Sequence, residues 1–450
     1  MKSNESLHLS VRFREMLTTD LSHAFGSYLP VELIADRVAQ TTLKKSRERI
    51  FTPVNTLLTM LLNSVQEDKS LQNGLNLFKS VFESNSKAIV QAEEKQLEAE
   101  KIRDRESGRK AGRPKQYKSR LPQSCHQPLS NSTAGYATAR KNLDMSLIEM
   151  VYASSTDFGA LDKESWYGMK TYISDGTYLQ LQDTEDIKSH YVVTGQESSY
   201  PQALLQVFIR QGTGQVSQFA LASRHESELS LVIPMIKNLE ANSLLLADDL
   251  YNTYYHFYLL LSQQCHIIVP GKRPRNYKTV RILNDNDQIV EISKTVRPDY
   301  VSEEEWKTVP QSLLLRRITY RYPTKNGMED AVLYTTILDE NLHTVDIITK
   351  YTMRWDIEIS IRETKTLMDI NVLRSKSREM LLKELLIALT AYNLVRKIIA
   401  ESADTVGFPP QEAIFQKCTP FGRSILLDRK GRVFFKWSPG RNGYAKEANR

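Results

Sequence analysis

Apolar residues recur at helical spacing at Val54, Leu57, Leu58, Leu61, Leu62 and Val65, directly after Thr52 and Pro53, which supply an N-cap hydroxyl and a first-turn proline. The spacing predicts a one-faced helix. A second helical pattern follows at Leu71, Leu75, Phe78 and Phe82, so a small all-helical unit is expected to end near residue 88. From Gln91 the chain becomes charged and poor in aromatics, predicting a solvated helix that runs into Gly108, Arg109, Lys110, Ala111, Gly112, Arg113, Pro114 and Lys115, with Lys118 and Arg120 beyond. After Ser132 a helix is expected to carry Tyr136, Arg140 and Leu143. From Trp166 the pattern shortens to strand-like runs at Thr171 to Gln182, His190 to Thr194, Ala203 to Arg210, Ser243 to Ala247 and His266 to Val269, with an amphipathic helix from Ser227 to Leu239.

Three strands in succession, then helix, strand, helix and strand, fit a ribonuclease-H-like α/β fold, although other α/β domains share that order. Residues 271 to 347 alternate as strands do, with Ile318-Thr319-Tyr320-Arg321-Tyr322 and Val332 to Ile337 joined through a loop at Asn326-Gly327. This stretch predicts a β-rich insertion. Helix returns from Thr352 to Met368 and from Ser377 to Ser402, before a tail from Ala403 with Pro, Gly and scattered cations and only partial order expected.

Composition narrows the class. At 450 residues several domains are expected, and 60 Lys and Arg against 53 Asp and Glu give a net charge of +7, a small excess for a polyanion-binding chain. Cys125, Cys265 and Cys418 lie far apart, which excludes a disulfide framework or zinc spacing and suits a reducing cytosol. The N-terminus has no apolar signal core and no run is long enough to span a bilayer, so secretion and membrane insertion are not expected. His190, His225 and His256 have no partner spacing and read as structural.

Two carboxylates stand where strands meet ligands. Asp175 lies in Ile173-Ser174-Asp175-Gly176-Thr177, where the glycine permits close approach of another chain or ligand, though a lone Asp-Gly is more often a turn. Asp248 follows Leu244-Leu245-Leu246-Ala247, a run apolar enough for a central strand buried on both faces, which puts the carboxylate at the strand's C-terminal end. It serves equally well as the N-cap of a helix starting near Tyr251.

A third candidate lies on a predicted helix. With Tyr351 at zero and about 100° per residue, Arg354 falls near 300°, Glu358 near 340° and Lys365 near 320°, one narrow stripe. Met353, Ile357, Ile361 and Met368 form an adjoining apolar flank, while Asp356 and Glu363 fall near 140° and 120°, off the stripe. Arg354 and Glu358 could be an ordinary i,i+4 surface pair, but such a pair requires neither Tyr351 nor Lys365 in register.

The stripe resembles the Tyr-x2-Arg-x3-Glu-x6-Lys signature of bacterial insertion-sequence transposases of the DDE class. The resemblance extends to Asp175-Gly176-Thr177 and to Ala247-Asp248-Asp249-Leu250-Tyr251, where relatives carry glycine at the place of Leu250. Register to Tyr251 favours Asp248 over Asp249 as the second acid. Thr133 to Arg140, Leu373 to Lys376, Tyr392 to Arg396 and Arg47 to Leu62 are also similar to family segments, so the likeness covers residues 25 to 400 or so.

What the resemblance implies is a DNA-cutting and rejoining enzyme with a ribonuclease-H-like catalytic core interrupted by a β-rich insertion. Asp175, Asp248 and Glu358 would be catalytic acids holding two Mg²⁺ (or Mn²⁺) ions, and Tyr351, Arg354 and Lys365 would bind DNA phosphates. Residues 1–88 would be an N-terminal helical DNA-binding domain and 89–130 a basic linker. The linker's Arg109, Lys110, Arg113 and Lys115 are expected to contact phosphates, or, less in keeping with Ala111, an A·T minor groove. Residues 131–270 and 348–402 would form the catalytic parts around the 271–347 insertion, with 403–450 the tail. Expected partners are terminal inverted repeats, target DNA and a second copy of the chain in a synaptic complex, on the bacterial nucleoid in the cytoplasm. A related nuclease without strand transfer, or an inactive DNA-binding derivative, is the competing reading.

Overall fold

The computed structural model describes residues 25, 28–29, 31–41, 50–66, 68–106, 118–119, 121, 129–191, 200–324, 327–355, 370, 372–405, 423–427 and 433–437. The chain opens with helices α1 (Val31–Thr41), α2 (Pro53–Ser64) and α3 (Leu71–Glu106). Thr52 caps α2 as its sequence predicts, accepting the Asn55 N–H at 3.2 Å with Pro53 in the first turn. The buried residues of α3 stop at Glu93, which leaves its charged last turns in solvent. The helical unit expected to end near residue 88 therefore continues in one helix to Glu106. Helices α4 (Ala134–Asn142) and α5 (Met145–Thr156) follow, and Tyr136 of α4 lies so close to Gly74 that a Cβ there would come within 2.8 Å of its ring.

Strand β1 (Lys170–Gln180) leads to α6 (Glu185–Lys188), β2 (Gln202–Arg210) and β3 (Val216–Ser223). The strand expected at His190 to Thr194 is absent in its described part. Thr184 caps a helical turn there, and the His190 and Tyr191 amides bond to Ile187 O, which ends the turn with Ile187 and Tyr191 buried (192–194 lie outside the described residues). The third strand of the antiparallel run is instead β3.

The helix expected from Ser227 to Leu239 is divided into α7 (Glu228–Leu231) and α8 (Ile233–Lys237), because Pro234 has no N–H to continue the ladder. Next come β4 (Ser243–Leu246), α9 (Tyr254–Ser262) and β5 (His266–Pro270). The interval read as an insertion supplies β6 (Lys278–Asn284), β7 (Asp287–Ser293), α10 (Glu303–Thr308), β8 (Ser312–Thr324) and β9 (Gly327–Thr335).

Strands β1 to β9 join in one sheet, ordered β3-β2-β1-β4-β5-β9-β8-β7-β6. β1, β2 and β3 are antiparallel, β4 and β5 run parallel to β1, and β9 pairs antiparallel with β5. The insertion thus extends the central sheet, because β5 offers a free edge that β9 fills. Leu244 and Leu246 face one core and Leu245 the other, the two-sided burial read from that apolar run.

On the first face, the sheet packs against the N-terminal helices and α12 (Arg378–Thr405), which follows α11 (Thr344–Thr352). Residues 1–88, expected as a separate domain, contribute Phe25, Leu57 and Phe78 to this same core. The second face is covered by α8 and α9. In the tail, where only partial order was expected, β10 (Arg423–Leu427) and β11 (Val433–Trp437) form an antiparallel hairpin.

The helix expected from Thr352 to Met368 differs in its described part. α11 ends at Thr352 and a 3-10 turn follows at Met353–Trp355, with the Met353 N–H bonded back to Lys350 O and the Thr352 hydroxyl to Thr349 O. Bonding three residues back tightens the winding, so Tyr351 and Arg354 do not share one straight α-helical face.

Candidate active site

The parallel ladder between β1 and β4 pairs Thr171 with Leu244, Tyr172 with Leu245 and Ile173 with Leu246. Two residues beyond the last pair on each strand are Asp175 and Asp248, and alternation puts both on the face of Ile173 and Leu246. The Ala247 amide still bonds to Ile268 O, so the strand geometry persists up to Asp248. Two carboxylates therefore stand level at the carboxyl ends of neighbouring parallel strands. Asp175 is half-buried and Asp248 exposed.

Asp248 also fulfils its alternative reading. Its Oδ1 accepts the Leu250 N–H at 2.9 Å as the N-cap of a single 3-10 turn, Asp249–Tyr251, which leaves the other carboxylate oxygen for a ligand. Asp249 is engaged elsewhere: its Oδ1 accepts the Lys272 N–H at 3.0 Å, and its Oδ2 lies 3.9 Å from the Arg273 guanidinium. Leu250 is not among the residues with positive φ, so nothing in this turn requires the glycine that relatives carry.

On the opposite face, beneath Asp175, a polar cluster links four residues that the sequence did not single out together. Gln206 Nε2 donates to Ser174 Oγ and to the Tyr251 hydroxyl, each at 2.9 Å, and Ser174 Oγ donates to the same hydroxyl at 2.9 Å. Tyr251 in turn donates to Glu228 Oε1 at 3.3 Å. Burial pushes the Glu228 carboxyl up to about 7, with the Asp248 charge adding to the rise, the Tyr251 hydrogen bond opposing it and Asp175 contributing least. Burial first, then Glu228, raises the Tyr251 phenol. In sequence, Glu228 is an acid in the first turn of a helix, which reads as a dipole partner and does not stand apart from Glu226.

Tyr351 and Arg354 meet despite the change of helix type. The Arg354 guanidinium lies 6.0 Å from the Tyr351 ring centre and donates to its hydroxyl. Burial pushes the Tyr351 phenol up to about 12; Arg354 works against that rise, and the nearby Tyr320 and Asp248 add to it. The phenol is thus within electrostatic reach of Asp248. Glu358 and Lys365 lie outside the described residues, as do Arg109, Lys110, Arg113 and Lys115.

Carboxylates are hard donors suited to divalent cations, and Asp175 and Asp248 supply two. Among the described residues no three His, Cys, Asp or Glu side chains converge closely enough to hold a metal alone. No described helix is long and apolar enough to cross a membrane. His256 is buried and structural, its two ring nitrogens engaged by the Thr253 hydroxyl and Leu229 O.

The transposase DDE domain family matches residues 166–394, just over half of the chain, and spans both acids and the Tyr351–Arg354 turn. The transposase InsG for insertion sequence element IS4 of Escherichia coli (strain K12) is 23% identical over 313 residues, covering 67% of this chain and 68% of that protein. A piggyBac transposase synaptic complex with hairpin DNA is similar at a TM-score of 0.38 and 10% identity, covering 89% of this chain and 76% of the other. By its family match the chain belongs to the DDE transposases of insertion sequences, enzymes that cleave and transesterify DNA and generally use divalent metal ions.

Proposed function

We propose that Asp175, Asp248 and Glu358 are the cation-holding acids of the DNA-cleaving centre, and that the chain moves its own element by cut-and-paste transposition after binding its terminal inverted repeats. The level pairing of Asp175 and Asp248 at the carboxyl edge of β1 and β4 carries this reading, because that edge is where open α/β sheets bind ligands. The engagement of Asp249 with Lys272 and Arg273 supports Asp248 as the second acid. The order β3-β2-β1-β4-β5, antiparallel and then parallel, supports a ribonuclease-H-like core extended by the insertion.

When bound, two Mg²⁺ or Mn²⁺ ions would supply positive charge to the attacking and leaving oxygens of the phosphodiester. Asp175, Asp248 and Glu358 would hold them. Tyr351, Arg354 and Lys365 orient the DNA backbone beside the scissile bond, Arg354 through its planar fork of donors. In this reading residues 1–88 bind DNA, Arg109, Lys110, Arg113 and Lys115 of the 89–130 segment contact phosphates, and two copies join two element ends.

The test is cleavage and end joining on DNA carrying the cognate inverted repeat with Mg²⁺ or Mn²⁺. Asp175→Ala, Asp248→Ala and Glu358→Ala are each expected to lose cleavage while still shifting the DNA in a gel. Undiminished cleavage by any of the three removes that acid from the site. Cleavage by the unmodified protein without any joined product would favour a nuclease without strand transfer.

A further inference from the structure

The backbone ladder between β1 and β4 ends at Ile173 and Leu246, and the two acids stand two residues further on. One side chain bridges that stretch. Tyr251, three residues after Asp248, closes the 3-10 turn that Asp248 caps, and its amide bonds to Asp248 O at 3.2 Å. Its ring is buried in the second core, and its hydroxyl reaches back to β1, where it accepts from Ser174 Oγ at 2.9 Å. It also accepts from Gln206 Nε2 at 2.9 Å, and Gln206 is the cross-strand partner of Gly176. Ser174 precedes Asp175 and Gly176 follows it. The hydroxyl is thus tied to β1 on both sides of the first acid, directly through Ser174 and through the strand partner of Gly176.

The surroundings are shaped to that hydroxyl. Both of its acceptor positions and its one donor are used, the donor by Glu228 Oε1 of α7 at 3.3 Å. Gly176 has no side chain where Gln206 lies against β1: a Cβ there would come within 2.6 Å of Gln206 Oε1, so the glycine leaves the space through which the Gln206 amide meets Tyr251. Phenylalanine would fill the same apolar volume in the second core, so packing alone does not call for a phenol at this position.

We propose that Tyr251 is a positioning residue of the active centre: its hydroxyl, clamped by Ser174, Gln206 and Glu228, fixes where Asp248 stands relative to Asp175 at the ends of β4 and β1. Tyr251 works from the face opposite the acids and acts only through the backbone that carries them. This rests on the assignment of Asp175 and Asp248 given above.

The experiment measures Mn²⁺ binding to the full chain, by the electron-spin signal of free Mn²⁺ with no DNA present, and single-turnover cleavage of DNA carrying the inverted repeat. Tyr251→Phe keeps the ring and removes the hydroxyl. Ser174→Ala removes the hold of that hydroxyl on β1, and it carries the test if the Phe variant does not fold. Each is expected to weaken Mn²⁺ binding and to slow cleavage about tenfold, with unchanged affinity for the DNA end. The double variant should lose little more than the worse single one, because both changes release the same clamp. A loss of stability alone would lower the melting temperature and, well below it, move neither the Mn²⁺ affinity nor the rate. Asp175→Asn is the reference for the underlying acids. If it loses Mn²⁺ and cleavage while the Tyr251 and Ser174 variants bind and cleave as the unmodified protein does, Tyr251 is a packing residue and the assignment of the acids stands. If Asp175→Asn also binds and cleaves normally, that assignment fails and the proposal with it.

Discussion

Asp175 and Asp248 stand level on neighbouring parallel strands, each two residues past the paired Ile173 and Leu246. The carboxyl groups come from residues 73 positions apart in sequence, and only the parallel pairing of β1 with β4 brings them to one edge. Asp249 follows immediately and has its carboxylate on the Lys272 amide instead.

The contrast predicts opposite outcomes for adjacent substitutions. Asp248→Ala should lower the cleavage rate at least a hundredfold, as removal of a cation ligand forfeits several kcal/mol of charge stabilisation. It should also cost about 1 kcal/mol of stability through the lost cap on Leu250. Asp249→Ala should keep cleavage within a few-fold and show only a small drop in melting temperature. The single-turnover rates and melting curves of the two proteins decide it, and an inactive Asp249→Ala beside an active Asp248→Ala reverses the assignment.

Gly176 is the most constrained glycine at the site. The nearest atom a methyl would meet, Gln206 Oε1 at 2.6 Å, cannot easily retreat, since Gln206 is buried and doubly hydrogen-bonded. Gly176→Ala is therefore expected to destabilise the fold by about 1–3 kcal/mol, measured by urea unfolding. Full stability in that variant would mean that Gln206 and Glu228 give way to the added methyl.

Burial fixes a pH dependence at His256. Its imidazole is lowered from 6.5 to about 4 by desolvation, which outweighs the hydrogen bond to Leu229 O. A depressed folded-state value means stability that is complete above the unfolded value near 6.5 and is lost as pH falls through about 4. The span of roughly two and a half units corresponds to about 3 kcal/mol. His256→Gln should lose that much less stability than the unmodified protein between pH 6.5 and pH 4 in matched denaturant titrations. Equal losses would show that His256 is not the group responsible.

Local signals in the chain were legible where one element decided its own form. The Thr52-Pro53 start of α2, the two-sided burial of Leu244 to Leu246 and the close approach permitted by Gly176 could all be read from neighbouring residues. What escaped depended on pairing at a distance. β3 is held by β2 despite a weak pattern of its own, β9 joins the insertion to β5, and the N-terminal helices complete the core over α12. Glu228 escaped for the same reason, since its significance comes from Gly176 and Tyr251, 52 residues before it and 23 after it. The stripe through Tyr351 and Arg354 was anticipated as one straight helix; its described part passes into a 3-10 turn at Met353–Trp355, and the two side chains still meet.

That contact makes a coupled prediction for DNA binding. The Arg354 guanidinium donates to the Tyr351 hydroxyl, and the ring is half-buried against the first core, which limits its freedom to move away. If Tyr351 acts by aiming Arg354 at a phosphate, then Tyr351→Phe removes the aim and Arg354→Lys removes the fork. Each should weaken binding to the element end by about 1 kcal/mol, roughly fivefold. The double variant should lose little more than either alone, because both changes abolish the same interaction. Arg354→Lys should leave the salt dependence of binding nearly unchanged, as the charge is retained, whereas Arg354→Gln should reduce the salt slope by about one phosphate contact. Affinities measured by fluorescence anisotropy across a salt series provide both readings. Additive losses in the double variant would separate the two residues and leave Tyr351 a packing role.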